Sequence, residues 1–313
     1  MTEIFHEMLA YVLEKDAGLS RTKARSLSSF FEDIPHFISV QEDEIREIHG
    51  IGNKTVIRLS DNEINRVLGV IKPEILDPEI PVTDNYISAI CRTFTKTQLE
   101  MIRSLDLTAM NPNPFLIKSL NLLTPSEFIK FNVYALVTRS IVTSMGFYIE
   151  KFLLASSENV VPGKKPWDLL KQDLDGTNHW VQIKSGPNDM DKDQVLYWAG
   201  LIEEKILSGD RAYIGITYGK RANETISLNH LRTYLDTWEE KTLIGRELWD
   251  FIADDVEFHE RLFTTLLNSA RSVLSEVSFC DEIEQCIERL TIDFTQEYGD
   301  GEEGINAYIN EIF

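Results

Sequence analysis

A change of hydrophobic period in the middle of the chain constrains the fold most. Up to about residue 156, apolar residues recur every three or four positions, which is typical of helices packed on a core. Two strands are then predicted over 167–174 and 180–184, and residues 175–178, Asp-Gly-Thr-Asn, form a strong turn signal between them. The sequence therefore predicts an α/β domain that contains a strand hairpin and is preceded by helices.

The remaining elements follow from caps and apolar spacing. Ser20 is a suitable N-cap for a basic helix over 21–31. The following segments are also predicted: a long helix over 133–155 with a candidate break at Gly146, a helix over 191–207, a buried strand over 211–217, helices from 227 onward, and a loop over 298–304 before a short final helix. The three prolines within 70–85 indicate a linker.

Composition limits the classes of function. The 313 residues are 43% hydrophobic, which is enough to bury a core. The net charge of −20 argues against a nucleic-acid partner, because phosphates are bound by positive charge. That argument is not decisive, since a basic cleft can lie on an acidic body. Net charge is the main evidence against the function developed below.

Targeting signals and cysteine use indicate a cytoplasmic protein. The N-terminus is acidic and lacks the basic start and apolar run of a signal peptide, and no apolar stretch is long enough to span a membrane. Three widely spaced cysteines, Cys91, Cys280 and Cys286, fit neither a disulfide framework nor a zinc site. We expect reduced thiols and no membrane partner.

The predicted hairpin carries the residues with catalytic potential. Gln182 and Lys184 are two positions apart on a strand, so their side chains leave the same face. The first strand folds back beside them and brings an aspartate to the same point. That aspartate is Asp168 or, as the alternative, Asp173.

This combination suits phosphodiester hydrolysis. Carboxylate and amide oxygens hold Mg²⁺, which polarises a phosphate and activates a bound water. A lysine beside them can stabilise the negative charge that develops in the transition state. We assign Asp168 and Gln182 as metal ligands, with Asp173 as the alternative aspartate, and Lys184 as the catalytic cation.

The hairpin resembles the PD-(D/E)XK nuclease superfamily, and the run from Trp180 to Asn188 is similar to type II restriction endonucleases. The resemblance covers about 134–260. It implies an α/β fold with a restriction-endonuclease-like mixed sheet core flanked by helices, double-stranded DNA as substrate and Mg²⁺ as cofactor. Gln182 stands where the family usually has an aspartate or glutamate. Glu150 on the preceding helix matches a glutamate that members of the family contribute to the metal site, so the resemblance implies that Glu150 is a further catalytic residue and metal ligand.

Further residues are candidates for DNA contact. Ser185, Asn188 and Lys192 follow the second strand and could line the DNA cleft, although they equally suit a helix start. The run His49-Gly50-Ile51-Gly52-Asn53-Lys54 resembles a helix-hairpin-helix motif, in which backbone amides hold a DNA phosphate. The candidates there are Gly50, Gly52, Asn53 and Lys54. The alternative is an ordinary helix corner with a glycine cap.

The sequence thus predicts two domains: residues 1–75 form a small all-α domain that binds the DNA backbone, and residues 76–313 form the nuclease domain with helical additions. The favoured function is a type II restriction endonuclease that acts as a homodimer, because two copies of one site cut both strands of a duplex. The alternatives are a structure-specific repair or mobile-element nuclease, and an inert DNA-binding protein on the same fold, which Gln182 keeps open.

Overall fold

The computed structural model describes residues 2–47, 59–71 and 75–312. The chain divides into two compact units. The first comprises Met1–Thr93 and Gly146–Ser269, and the second comprises Phe94–Met145 and Ala270–Phe313. Among the described residues no helix is long and apolar enough to cross a membrane. Every residue of the predicted hairpin lies in the first unit.

Short helices begin the first unit, and polar caps fix where they start. The Ser20 side chain accepts a hydrogen bond from the Lys23 amide, as the sequence predicts. Ser60 and Glu63 form a capping box. The helices are α1 (Thr2–Lys15), α2 (Arg21–Ser28), α3 (Ile34–Ser39), α4 (Glu42–Glu47) and α5 (Asp61–Gly69). Together with Leu76 and Ala89 further along the chain, they enclose an apolar core that includes Met8, Leu13, Phe37 and Val67.

Two long helices, with a short one between them, follow. They are α6 (Val82–Ser104), α7 (Pro114–Ser119) and α8 (Pro125–Ala155), with a 3-10 turn at Leu107–Ala109. The prediction of a long helix is confirmed, but α8 starts eight residues earlier than predicted and is not broken at Gly146. A single glycine lowers helix stability by about 1 kcal/mol, which so long a helix tolerates.

Five strands form one mixed sheet in the order β1-β2-β3-β4-β5. The strands are β1 (Val160–Pro162), β2 (Leu169–Gln172), β3 (Asn178–Lys184), β4 (Arg211–Ile216) and β5 (Thr242–Ile244). The first three are antiparallel neighbours, whereas β3, β4 and β5 run parallel. The fold prediction, a mixed sheet flanked by helices with helices before it, is confirmed.

Helices cover the sheet. The described helices between β3 and Ser275 are α9 (Lys192–Leu207), α10 (Ile226–Tyr234), α11 (Trp238–Lys241), α12 (Arg246–Ala253) and α13 (Phe258–Leu274). Trp198 of α9 packs with Trp167 and Trp180, and Leu231 of α10 joins the same core. Leu248 of α12 packs against β4 at Gly215, where a Cβ would lie 2.8 Å from Leu248 Cδ1.

The second unit is helical in its described part. Its core includes Leu290 and the rings of Phe128, Phe294 and Tyr308, which contact one another. It ends with α14 (Phe279–Tyr298) and α15 (Gly301–Ile312). The prediction of a loop over 298–304 is wrong for most of its length, because Tyr298 still belongs to α14 and Gly301 already starts the final helix.

The bounds of other predicted elements also shift. Helix α2 ends at Ser28 rather than at 31, and the first strand of the hairpin spans only Leu169–Gln172 of the predicted 167–174. The turn is confirmed: the Asp173 amide donates to the Thr177 carbonyl, and Gly176 adopts a positive φ of 85°. Gly50, Gly52, Asn53 and Lys54, the helix-hairpin-helix candidates, lie outside the described residues.

Candidate active site

The β2–β3 hairpin holds Asp168 against the end of β3. The Asp168 amide donates to the Val181 carbonyl at 3.2 Å, and the Ile183 amide donates to Asp168 Oδ2 at 2.7 Å. Leu169 pairs with Val181, so extending the register by one residue sets Asp168 opposite Gln182. Because side chains alternate along strands, Asp168, Gln182 and Lys184 share one face of the sheet.

Gln182 has an unsatisfied oxygen in this site. Its side chain is 8% exposed, and its Nε2 donates to the Ile183 carbonyl at 3.2 Å. Its Oε1 is buried and has no hydrogen-bond partner among the described residues. An unpaired buried acceptor costs about 1–3 kcal/mol, so it points to a missing partner. A cation bound at this oxygen would satisfy it.

Glu150 of α8 faces the same point. Burial raises the pKa of its carboxyl, and repulsion from Asp168 raises it further, while Lys151 opposes the shift. α8 lies close to the end of β3 at Gly146, where a Cβ would lie 2.7 Å from Ser185 Oγ. Glu150 follows one helical turn after this contact. The helix therefore brings a second carboxylate to Asp168.

The surroundings of Asp168 also change the pKa of its carboxyl. Burial raises the pKa of its carboxyl, and the Ile183 amide and the positive charge of Lys184 partly offset that shift. Among the described residues Lys184 has no ion-pair partner, so its ammonium is available to a ligand. Two half-buried carboxylates with raised pKa values beside an unpaired amide oxygen form a set of hard oxygen donors that suits Mg²⁺.

Asp173 lies at the other end of the hairpin. Its Oδ2 is 2.7 Å from His179 Nε2, and its backbone closes the turn. It is exposed and is not brought to Gln182 or Lys184. The geometry thus favours Asp168 over Asp173 as the aspartate of the site.

The described residues contain no group of three or more histidine, cysteine or acidic side chains arranged to hold a metal ion. The set at the hairpin has two carboxylates, Asp168 and Glu150, with an amide as the third oxygen donor. Because this set has only two acidic side chains, its fit to a metal depends on Gln182 Oε1 as well as on the two acids.

The three candidate DNA-contact residues after β3 differ in exposure. Ser185 is half-buried, and its carbonyl accepts a hydrogen bond from Thr217 Oγ1 at 2.6 Å. Asn188 and Lys192 are exposed, and the Lys192 ammonium lies 5.1 Å from the Tyr234 ring centre. Asp191 caps the helix that Lys192 starts, as the predicted helix beginning near 191 requires.

Gly163 is a residue of the site that sequence reasoning missed. Its amide donates to the Asp168 carbonyl at 2.8 Å, and a Cβ there would lie 2.6 Å from the Trp167 carbonyl oxygen. The close backbone approach fixes the segment that carries Asp168. The glycine directly after β1 was a visible signal, but β1 is too short to show a period of its own.

Comparison with known proteins identifies the family of the chain. No individually curated protein matches the chain. A scan against protein families matches residues 82–273, more than half of the chain, to the family described as type II restriction endonuclease EcoO109I. The match begins at the first residue of α6 and contains the whole hairpin with Glu150. The chain therefore belongs to the type II restriction endonuclease EcoO109I family and is a DNA endonuclease, a hydrolase.

Proposed function

We propose that the chain cuts double-stranded DNA in a Mg²⁺-dependent reaction at the Asp168 end of the hairpin, with an active site of the PD-(D/E)XK type. Asp168, Glu150 and the Gln182 amide oxygen would hold the ion. The observation that carries this proposal is the unpartnered Gln182 Oε1 beside two carboxylates whose pKa values are raised. Asp173 is the discarded alternative, because it is bound to His179.

The residues of the site have separable tasks. When bound, the ion would supply a Lewis acid for the phosphate and would lower the pKa of a water. Asp168 and Glu150 would supply the negative charge to hold it, and the Ile183 amide orients the Asp168 carboxylate. Lys184 stabilises the charge that accumulates on the phosphate oxygens. The half-buried setting strengthens these interactions relative to water.

The rest of the chain would contribute binding. Residues 1–81 lie outside the family match, and their described part forms helices whose apolar core also includes Ala89. We propose the segment 1–75 as the DNA-backbone-binding domain, with phosphate contacts from Gly50, Gly52, Asn53 and Lys54, and residues 76–313 as the nuclease domain. Ser185, Asn188 and Lys192 would contact DNA beside the cut. A homodimer would present two such sites to the two strands.

The test is incubation of purified protein with Mg²⁺ and plasmid DNA, followed by sequencing of the fragment ends. A restriction enzyme gives discrete fragments whose ends share one sequence. Random fragments would instead indicate a nuclease without base recognition, and no cleavage with Mg²⁺ would contradict the proposal. Sedimentation of the protein on a duplex that contains the cut sequence then tests the dimer.

A further inference from the structure

A loop on the neighbouring strand extends this site. β3 and β4 run parallel, and Lys184 pairs with Ile216. The chain therefore leaves both strands at the same edge of the sheet. The β4–α10 loop, residues 217–225, starts beside Ser185, on the side of Lys184 opposite to Asp168. None of its residues has been assigned to the reaction so far.

Hydrogen bonds fix both ends of this loop to the active-site edge. The Thr217 amide donates to the Lys184 carbonyl at 3.1 Å, and Thr217 Oγ1 donates to the Ser185 carbonyl. Trp249 Nε1 donates to the Thr217 carbonyl at 2.9 Å. At the other end, Thr225 Oγ1 donates to the Pro187 carbonyl at 2.6 Å. The position of the loop relative to Lys184 is therefore set by direct bonds.

Tyr218 stands at the start of this loop with its ring over Gly186. A Cβ at Gly186 would lie 2.4 Å from the Tyr218 hydroxyl oxygen and 2.8 Å from Cζ. The absence of a side chain at 186 thus makes room for the ring. Tyr218 is nevertheless 62% exposed, and its hydroxyl has no hydrogen-bond partner among the described residues. An exposed aromatic side chain with a free donor, on a loop that is held at both ends, is suited to bind a ligand.

We propose that Tyr218 donates a hydrogen bond to a DNA phosphate next to the one that is cut. Gly186 is two residues from Lys184, which limits their Cα separation to about 7 Å. The hydroxyl over Gly186 could therefore reach a phosphate within one or two nucleotides of the phosphate that Lys184 would hold. Tyrosine is among the side chains that bind phosphate oxygens and so set the register of a duplex. This inference rests on the proposed function of the hairpin.

The first test compares Tyr218→Phe, which removes only the hydroxyl, with Tyr197→Phe on α9, a tyrosine of similar exposure (55%). Single-turnover cleavage and metal-free DNA binding are measured for both. We expect Tyr218→Phe to weaken binding about tenfold, as for a hydrogen bond to a charged group, and to leave the cut sequence unchanged. Tyr197→Phe should behave as wild type. Unaltered binding by Tyr218→Phe would overturn the inference.

Duplexes with a single uncharged methylphosphonate locate the contact. We expect one position within two nucleotides of the cut to weaken wild-type binding and to have little further effect on Tyr218→Phe. If no position shows this coupling, or if Tyr218→Phe changes the sequence that is cut, Tyr218 does not act on a phosphate and the inference fails. If the wild type cuts DNA in the same assay, only the inference on Tyr218 fails; if it does not, the proposed function fails.

Gly186→Ala provides an independent variant. Its backbone has no positive φ, so alanine is tolerated there and acts by pushing the Tyr218 ring aside. We expect weaker DNA binding in the wild-type background and almost no effect in a Tyr218→Ala background. Equal losses in both backgrounds would show that Gly186 matters for another reason and would contradict the placement of the ring.

Discussion

The two ends of the β2–β3 hairpin carry similar residues, but their side chains are paired within the chain at the turn end and incompletely paired at the open end. The turn end has Asp173, Lys171 and His179, and the open end has Asp168, Gln182 and Lys184. At the turn end, the buried Lys171 ammonium is bound by the Phe251 carbonyl and Asp254, and Asp173 is bound to His179. At the open end, the carboxylates repel each other and the amide oxygen is unpaired.

The comparison shows how structural charge differs from functional charge. Buried charges that serve the fold are paired within the chain, because an unpaired one is costly. Charges that serve a ligand are left incompletely paired, and perturbed pKa values mark them. The residue types alone do not distinguish the two ends, since each offers an aspartate and a lysine. The following substitutions are paired across the two ends.

The largest effect is expected from the two lysines. Lys184→Ala removes the cation of the open end, so we predict a loss of Mg²⁺-dependent cleavage of at least about 10²-fold with DNA binding largely intact. Lys171→Met removes a structural charge and should lower thermal stability while the folded protein still cuts. Single-turnover cleavage and thermal denaturation measure these. Full activity of Lys184→Ala would refute the assigned site.

The two aspartates come next. Asp168→Asn keeps the shape but removes a charge that would hold the ion, so cleavage should fall about 10²-fold and the thermal stabilisation by Mg²⁺ should disappear. Asp173→Asn should retain both and lose only some stability, because its partner is His179. Calorimetric scans with and without Mg²⁺ provide the measurement. The reverse ranking of the two variants would transfer the metal site to the turn end.

A smaller effect is expected from the two glutamines. Gln182→Glu adds a third carboxylate at the unpaired oxygen, so the Mg²⁺ concentration for half-maximal cleavage should fall about tenfold, and the metal-free protein should become less stable. Gln172→Glu at the turn end, where the side chain is exposed, serves as control. A large gain from an inactive wild type would instead show that Gln182 had inactivated the site.

The smallest effect is expected from the two glycines. Gly163→Ala forces a Cβ against the Trp167 carbonyl and should reduce cleavage severalfold by moving Asp168. Gly176 has open space around it and only a positive φ, which asparagine adopts readily, so Gly176→Asn should cost less than about 1 kcal/mol and leave cleavage unchanged. Equal activity of the two variants would show that Gly163 does not position Asp168.

The sequence was sufficient for the fold class, the hairpin and the set Asp168, Gln182 and Lys184 on one face. It could not choose between Asp168 and Asp173, because that choice depends on the register of β2 against β3. β1 and β5 were missed, since strands of three residues carry no period. The unpaired Gln182 oxygen depends on packing in three dimensions and has no signature in sequence.

The central claim is that the open end of the hairpin holds a divalent ion. Crystals soaked in Mn²⁺, measured at the manganese absorption edge, test it directly. The account predicts an anomalous peak within about 2.5 Å of Gln182 Oε1 and of carboxylate oxygens of Asp168 and Glu150. A peak at Asp173 and His179 instead, or no peak at the open end in crystals of protein that cuts DNA with Mn²⁺, would contradict it.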